Sequence, residues 1–197
     1  MIIIKESDPK AVELACEALR TGKIISFATD TVYGLAVDAC NFKAVEALFA
    51  LKKRDQNKPV AIFLKDLDAA KKIFYFDETA EKIAEKFFTG SLTLVLETKP
   101  QSSSGLASNL NLNDEKFLGF RIVNRDFVKD LLDKFDGILA VTSANPSAEK
   151  AAISAAEVEK YFTNSSLDLL VDSSKPISGT ASTVIRVTKG EVQILRP

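Results

Sequence analysis

Histidine and tryptophan are absent from this 197-residue chain, cysteine occurs twice and methionine once. Without histidine there is no Ser-His-Asp triad, no Cys-His pair, no imidazole acid or base and no His-ligated metal. Two cysteines, Cys16 and Cys40, are too few for a structural zinc site, and Cys16 falls on the apolar face of an expected helix, where packing accounts for it. A dominant charge of one sign is also lacking. Lys and Arg number 26 against 27 Asp and Glu, so the formal charge of -1 supplies no global attraction for nucleic acid. No apolar run approaches the ~20 residues of a membrane span. The opening MIIIKESD lacks the basic segment and long apolar core of a signal peptide. The expectation is a cytoplasmic protein with no membrane partner. Neither a Walker GxxxxGK[ST] loop nor a GxGxxG fingerprint is present.

What is there reads as one α/β domain over residues 1–197, with an apolar fraction of 46% and a charged fraction of 27%. Short β-branched runs at 1–4, 24–28, 60–64, 92–96, 117–123, 138–141 and 167–171 predict strands, and 182–187 with 191–195 a hairpin across Lys189-Gly190. Helical spacing predicts a helix capped by Asp8 and opening at Pro9, another after Asn41, and helices at 67–74, 77–88, 127–135 and 155–162. The Ser- and Asn-rich stretch 100–114 reads as a functional or mobile loop.

The stretch that organises these pieces is 24–37, IISFATDTVYGLAV, two apolar runs broken at Thr29-Asp30-Thr31. Hydroxyls and a carboxylate at the mouth of buried strands are where α/β proteins hold ligands, although the same residues also build ordinary turns. Three further polar groups stand at strand ends: Lys52 to Lys58, Ser143-Ala144-Asn145, and Ser182-Thr183. Arg121 places a cation inside an apolar strand, where an unpaired charge is costly and Asp30, Asp38 or another carboxylate is a candidate partner. Cations and hydroxyls converging without histidine describe a grip on phosphate or carboxylate, acting by position and charge neutralisation. Lys52 to Arg54 as a solvated helix end, and Ser143 and Asn145 as caps, are the plainer readings of the same residues. Residue chemistry alone therefore reaches an anion-binding α/β protein.

At these same residues the chain resembles the YrdC/TsaC family of threonylcarbamoyl-AMP synthases, in its single-domain form. The matching pieces run almost end to end: Thr29-Asp30-Thr31-Val32-Tyr33-Gly34-Leu35, Lys52-x-Arg54 with Lys58-Pro59, Leu92-Thr93-Leu94-Val95-Leu96, Arg121, Ser143-Ala144-Asn145, Ser182-Thr183-Val184 and Leu195-Arg196. The resemblance implies a twisted open sheet of mixed parallel and antiparallel strands with flanking helices. It implies a reaction that joins L-threonine, bicarbonate and ATP into L-threonylcarbamoyladenylate and pyrophosphate, with magnesium accompanying ATP and no metal held by protein side chains. The product would serve t6A modification of tRNA adenosine 37 through a downstream transferase complex. By the same resemblance Lys52, Arg54, Ser143 and Asn145 are catalytic candidates. Arg54, Lys58, Val141, Ser143, Asn145, Ala151 and Arg196 are expected at ATP, and Thr31, Arg121 and Ser182 at L-threonine.

The chain departs from the family pattern at Ala28 (usually proline), at Thr89-Gly90-Ser91 (usually Pro-Gly-Pro), at Ser147-Ala148 (usually Ser-Gly) and at Asn124 (commonly proline). None of these removes a charged ligand group. The alternative function is a double-stranded RNA or tRNA-binding maturation factor that uses the same basic face without adenylate chemistry. A carbamoyl-transfer relative with another acceptor is a third reading, disfavoured by the short chain and the scarcity of cysteine.

Overall fold

The computed structural model describes residues 1–53, 60–87, 91–100, 105–110 and 116–197. The described residues form ten strands in one sheet: β1 (Ile2–Lys5), β2 (Ile24–Ala28), β3 (Tyr33–Asp38), β4 (Ala61–Phe63), β5 (Leu92–Glu97), β6 (Phe117–Arg121), β7 (Leu139–Ser143), β8 (Leu167–Asp172), β9 (Thr183–Thr188) and β10 (Glu191–Arg196). Their spatial order is β1-β8-β2-β3-β7-β4-β6-β5-β9-β10. Four neighbours are parallel, β1/β8, β2/β8, β4/β6 and β5/β9, and the remaining five are antiparallel. The mixed sheet expected from the resemblance is what the chain builds.

Among the described residues six α-helices flank the sheet: α1 (Ala11–Arg20), α2 (Phe42–Lys52), α3 (Leu67–Ile73), α4 (Glu78–Phe87), α5 (Asp126–Phe135) and α6 (Ala155–Phe162). Alternation along β2 decides which side each residue serves. Ile25 and Phe27 pack with α1 and α5 through Cys16, Leu19, Phe127 and Leu131. Ile24 and Ala28 turn to the opposite core with Leu48, Ala80 and Val158 of α2, α4 and α6. Cys16 is fully buried, as its helical position implied.

Local chemistry sets most boundaries. Asn41 caps α2 by accepting from the Ala44 amide at 3.2 Å, and Asp66 and Ser154 cap α3 and α6 the same way. The Lys189-Gly190 turn joins β9 to β10 with both residues at positive φ, 51° and 81°, the geometry a two-residue hairpin needs. Two starts differ from the sequence reading. Asp8 does not cap a helix opening at Pro9. It accepts from the Lys10 amide at 2.9 Å and closes a turn through Ala11, so α1 begins at Ala11. β3 begins after Val32, because the Val32 carbonyl is taken by the Thr29 amide at 3.1 Å. Of the 100–114 stretch, Pro100 and residues 105–110 are described. Ala107 and Leu110 are buried there, and the Ala107 amide donates to Ala39 at 2.8 Å.

On the α1/α5 face the helices cover the β8-β2-β3-β7 half of the sheet. The other half, over β4, β6, β5 and β9, is left open and forms a groove.

Candidate active site

The groove is a cavity of about 490 Å³ floored by Ala61, Phe63 and Gly119. Gly119 is required there by close approach: a Cβ would sit 3.1 Å from Thr93 Cγ2 and 3.5 Å from Val95 Cγ2. Three guanidinium groups line the cavity, Arg121, Arg186 and Arg196, whereas no carboxylate among the described residues does. That wall favours an anion.

One end is built by the connection between β2 and β3. Thr29 Oγ1 accepts from the Thr31 and Val32 amides at 3.1 and 3.2 Å and meets Thr31 Oγ1 at 2.9 Å, so the side chain ties the turn to itself. The polar loop before β9 clasps this turn from outside: Ser178 and Gly179 amides donate to the Asp30 and Thr31 carbonyls at 3.0 and 2.8 Å. Arg121, at the end of β6, donates to Asp30 Oδ1 at 2.7 Å and to Thr31 Oγ1 at 3.1 Å. Its partner is thus Asp30, one of the carboxylates the sequence left open. Its Nε is buried without a hydrogen-bond partner among the described residues, and its guanidinium carbon lies 5.5 Å from the Phe63 ring centre. Burial pushes the Arg121 pKa down, Asp30 pulls it back, and the Arg196 charge pushes it down again. The group stays cationic, since arginine does not deprotonate in proteins.

Arg196 approaches from the outer hairpin. A bulge between Ile194 and Arg196 sets Arg196 opposite Val184, so the adjacent Leu195 and Arg196 both line the groove, which a regular strand would forbid. The guanidinium grips Ser182 by three bonds, to the carbonyl at 2.9 and 2.7 Å and to Oγ at 3.1 Å. Ser182 Oγ also meets Thr93 Oγ1 at 2.8 Å.

The other end is the Ser143–Asn145 loop after β7. Lys52, at the end of α2, is 2% exposed. Its ammonium donates to the Ser143 carbonyl at 2.6 Å, to Thr142 Oγ1 at 3.2 Å and to Asn145 Oδ1 at 3.3 Å. Asn145 in turn accepts from Ser143 Oγ at 2.6 Å and donates to the Glu149 carbonyl at 2.7 Å.

Of the residues expected at a site, Thr31, Arg121, Val141, Ser143, Ser182 and Arg196 line the one cavity. Lys52 and Asn145 stand behind Ser143 and hold it. Ala151 is half-buried beside Ala152, whose amide and carbonyl bond Ala144 and Tyr33. It is not part of the cavity wall. Arg54 and Lys58 lie outside the described residues. Arg196, expected at the nucleotide, contacts Ser182, expected at the amino acid, so it spans both sets. Sequence reasoning assigned no role to Thr93, Arg186 or Arg125. Arg125 is a buried cation that donates to the Thr29 carbonyl and Glu6 Oε2, each at 3.0 Å, and to Ser173 Oγ. Its signal, a charge at the start of a helix, is that of a solvated residue.

With this geometry in view, the family model described as telomere recombination, covering Sua5, YciO and YrdC, matches residues 17–197. A threonylcarbamoyl-AMP synthase of Mus musculus is 31% identical over 196 residues, covering 95% of this chain and 67% of the relative. A crystal structure of Pyrococcus abyssi Sua5 complexed with L-threonine superimposes with a TM-score of 0.88 at 27% identity, covering 100% of this chain. The chain spans 57% of the length of that Pyrococcus protein. Escherichia coli YciO, at 18% identity and a TM-score of 0.85, shares the fold over 99% of this chain and 92% of its own. Among the described residues no helix is long and apolar enough to cross a membrane.

Proposed function

The chain belongs to the Sua5/YciO/YrdC family, and on that premise we propose that it is an L-threonylcarbamoyladenylate synthase acting on L-threonine, bicarbonate and ATP. The observation that carries the proposal is a single cavity that contains both the Thr31–Arg121–Ser182 cluster and Ser143. An amino acid and a nucleotide can therefore meet there. In this reading Thr31, Arg121 and Ser182 hold L-threonine, with the Arg121 guanidinium on its carboxylate. Arg54, Lys58, Val141, Ser143, Asn145, Ala151 and Arg196 serve ATP, and Lys52 acts from behind by holding Ser143 and Asn145. The amine of L-threonine and bicarbonate give a carbamate and water. A carbamate oxygen then attacks the α-phosphate of ATP, and pyrophosphate leaves. Guanidinium groups neutralise the charge on the leaving group, a task that needs no histidine.

Magnesium would enter as a companion of the triphosphate, carried by the phosphate oxygens, since the described walls offer arginines and hydroxyls. We read residues 1–197 as one domain working in the cytoplasm, with its product consumed by a t6A transferase complex that modifies tRNA. The test is pyrophosphate release from ATP with bicarbonate, compared without amino acid, with L-threonine and with L-serine. Release that depends on L-threonine is expected. No release, with RNA bound tightly by the same preparation, would replace the enzyme by an RNA-binding factor.

A further inference from the structure

Thr93 of β5 is 6% exposed, lines the groove, and sits beside Ser182 at the entry to β9, its parallel neighbour. Its hydroxyl oxygen lies 2.8 Å from Ser182 Oγ. Either hydroxyl can donate in this contact, and the third member of the cluster sets what each choice leaves to the groove. Arg196 has donors only, and its contact with Ser182 Oγ at 3.1 Å fills one acceptor position of that oxygen. A serine hydroxyl has two acceptor positions and one proton. When Thr93 donates, the second acceptor position is filled as well, and Ser182 is left with only its O–H to offer the groove. Packing fixes where the Thr93 oxygen stands beside Ser182. Its methyl lies over Gly119, 3.1 Å from where a Cβ there would stand, and β-branching leaves χ1 few other choices.

We infer that Thr93 donates to Ser182 and is thereby a positioning residue that turns the Ser182 hydroxyl into an outward hydrogen-bond donor, committing that end of the groove to a carboxylate. Ser182, with both acceptor positions occupied, offers nothing to an ammonium group. The substrate amino acid therefore enters with its carboxylate toward Ser182 and Arg121 and its amine toward the Ser143 end, where carbamate and α-phosphate must meet. This rests on the reading under Proposed function, which puts the Arg121 guanidinium on the carboxylate, and adds Thr93 as the residue that sets the Ser182 hydroxyl toward it.

The experiment compares Thr93→Val, which keeps the shape and removes the hydroxyl, with Thr93→Ser, which keeps the hydroxyl. In the pyrophosphate-release assay Thr93→Val is expected to raise KM for L-threonine on the order of tenfold, the effect of one hydrogen bond to a charged group. Saturated turnover and KM for ATP should stay within about twofold, well inside what one such bond would change. Thr93→Ser should restore most of the affinity. Inhibition by L-threonine methyl ester, whose carboxyl carries no charge, should be insensitive to Thr93→Val. An unchanged KM, an equal rise in KM for ATP, or a Thr93→Ser variant as impaired as Thr93→Val would overturn the inference and leave the activity standing. A wild-type protein without threonine-dependent release would instead overturn the activity. Calorimetry of L-threonine binding to the same three proteins then decides the role of Thr93, and a wild-type protein that binds no L-threonine overturns it as well.

Discussion

Replacing Arg125 by methionine tests how the scaffold holds the site. The Arg125 side chain is 6% exposed and its partner Glu6 is 10% exposed. Methionine keeps the bulk of the aliphatic stem but removes the bonds to Glu6, Ser173 and the Thr29 carbonyl. Glu6 is then left with Lys175 at 3.9 Å, a contact whose lysine is more than half exposed and offsets little. Breaking a buried pair from one side costs about 3–5 kcal/mol, because the remaining charge is uncompensated. In a domain of this size 1 kcal/mol moves the melting temperature by roughly 2–4 °C, so Arg125→Met should melt about 6–20 °C lower. Glu6→Gln in the same background should lower stability by less than it does alone, since no charge is then stranded. Thermal and urea unfolding of the four proteins give the cycle. KM for L-threonine should rise as well, since Arg125 holds the carbonyl of the turn that presents Thr31. A melting temperature for Arg125→Met within about 2 °C of the parent, less than 1 kcal/mol on that scale, would refute the argument.

Four further outcomes are expected. Arg121→Ala should weaken L-threonine binding roughly a hundredfold, as loss of a charge-assisted contact predicts, while ATP binding changes little; equal loss of both would make Arg121 structural. Ala148 sits at φ 73°, where glycine is favoured and where the family usually has one, so Ala148→Gly should add about 0.5–1 kcal/mol in urea unfolding, and a destabilised variant would contradict it. Burial pushes the Tyr33 hydroxyl pKa above its ordinary 10.0. The fold favours the neutral phenol, so its contribution is complete below the unfolded value and is lost as pH rises through the folded one. The fall of the unfolding midpoint between pH 9 and 11, the range about that ordinary value, should therefore be shallower in Tyr33→Phe, and parallel curves would exclude the link. Raising salt should weaken ATP binding by screening the guanidinium groups, whereas a salt-independent affinity would argue against a cationic groove.

Much of this was legible along the chain. Short apolar β-branched runs located the strands and helical spacing the helices, because both patterns repeat within a few residues of the sequence. The polar breaks at Thr29 to Thr31, Ser143 to Asn145 and Ser182 marked strand ends that converge on the groove. Arg121 stood out because an apolar strand rarely carries a cation. Its partner did not, since Asp30 and Asp38 are both near in sequence to the same strands, and only packing brings Asp30 to 2.7 Å. Lys52 also read as part of a solvated helix end and Arg125 drew no reading at all; both are buried, because the loops that cover them come from distant parts of the chain. Thr93 was hidden within an ordinary strand motif.

The sequence by itself determined which elements form and which chemistry is possible: hydroxyls and guanidinium groups, no imidazole, an anion as ligand. These are properties of residue type and of spacing over a few positions, and local forces suffice for them. Tertiary structure alone decided the sheet order, which sets β5 beside β9 and so Thr93 beside Ser182, and the bulge that turns both Leu195 and Arg196 into the groove. It also decided which half of the sheet α1 and α5 leave open. Those outcomes depend on contacts between segments far apart in the chain, where burial of the whole apolar surface, and not any local preference, selects the arrangement.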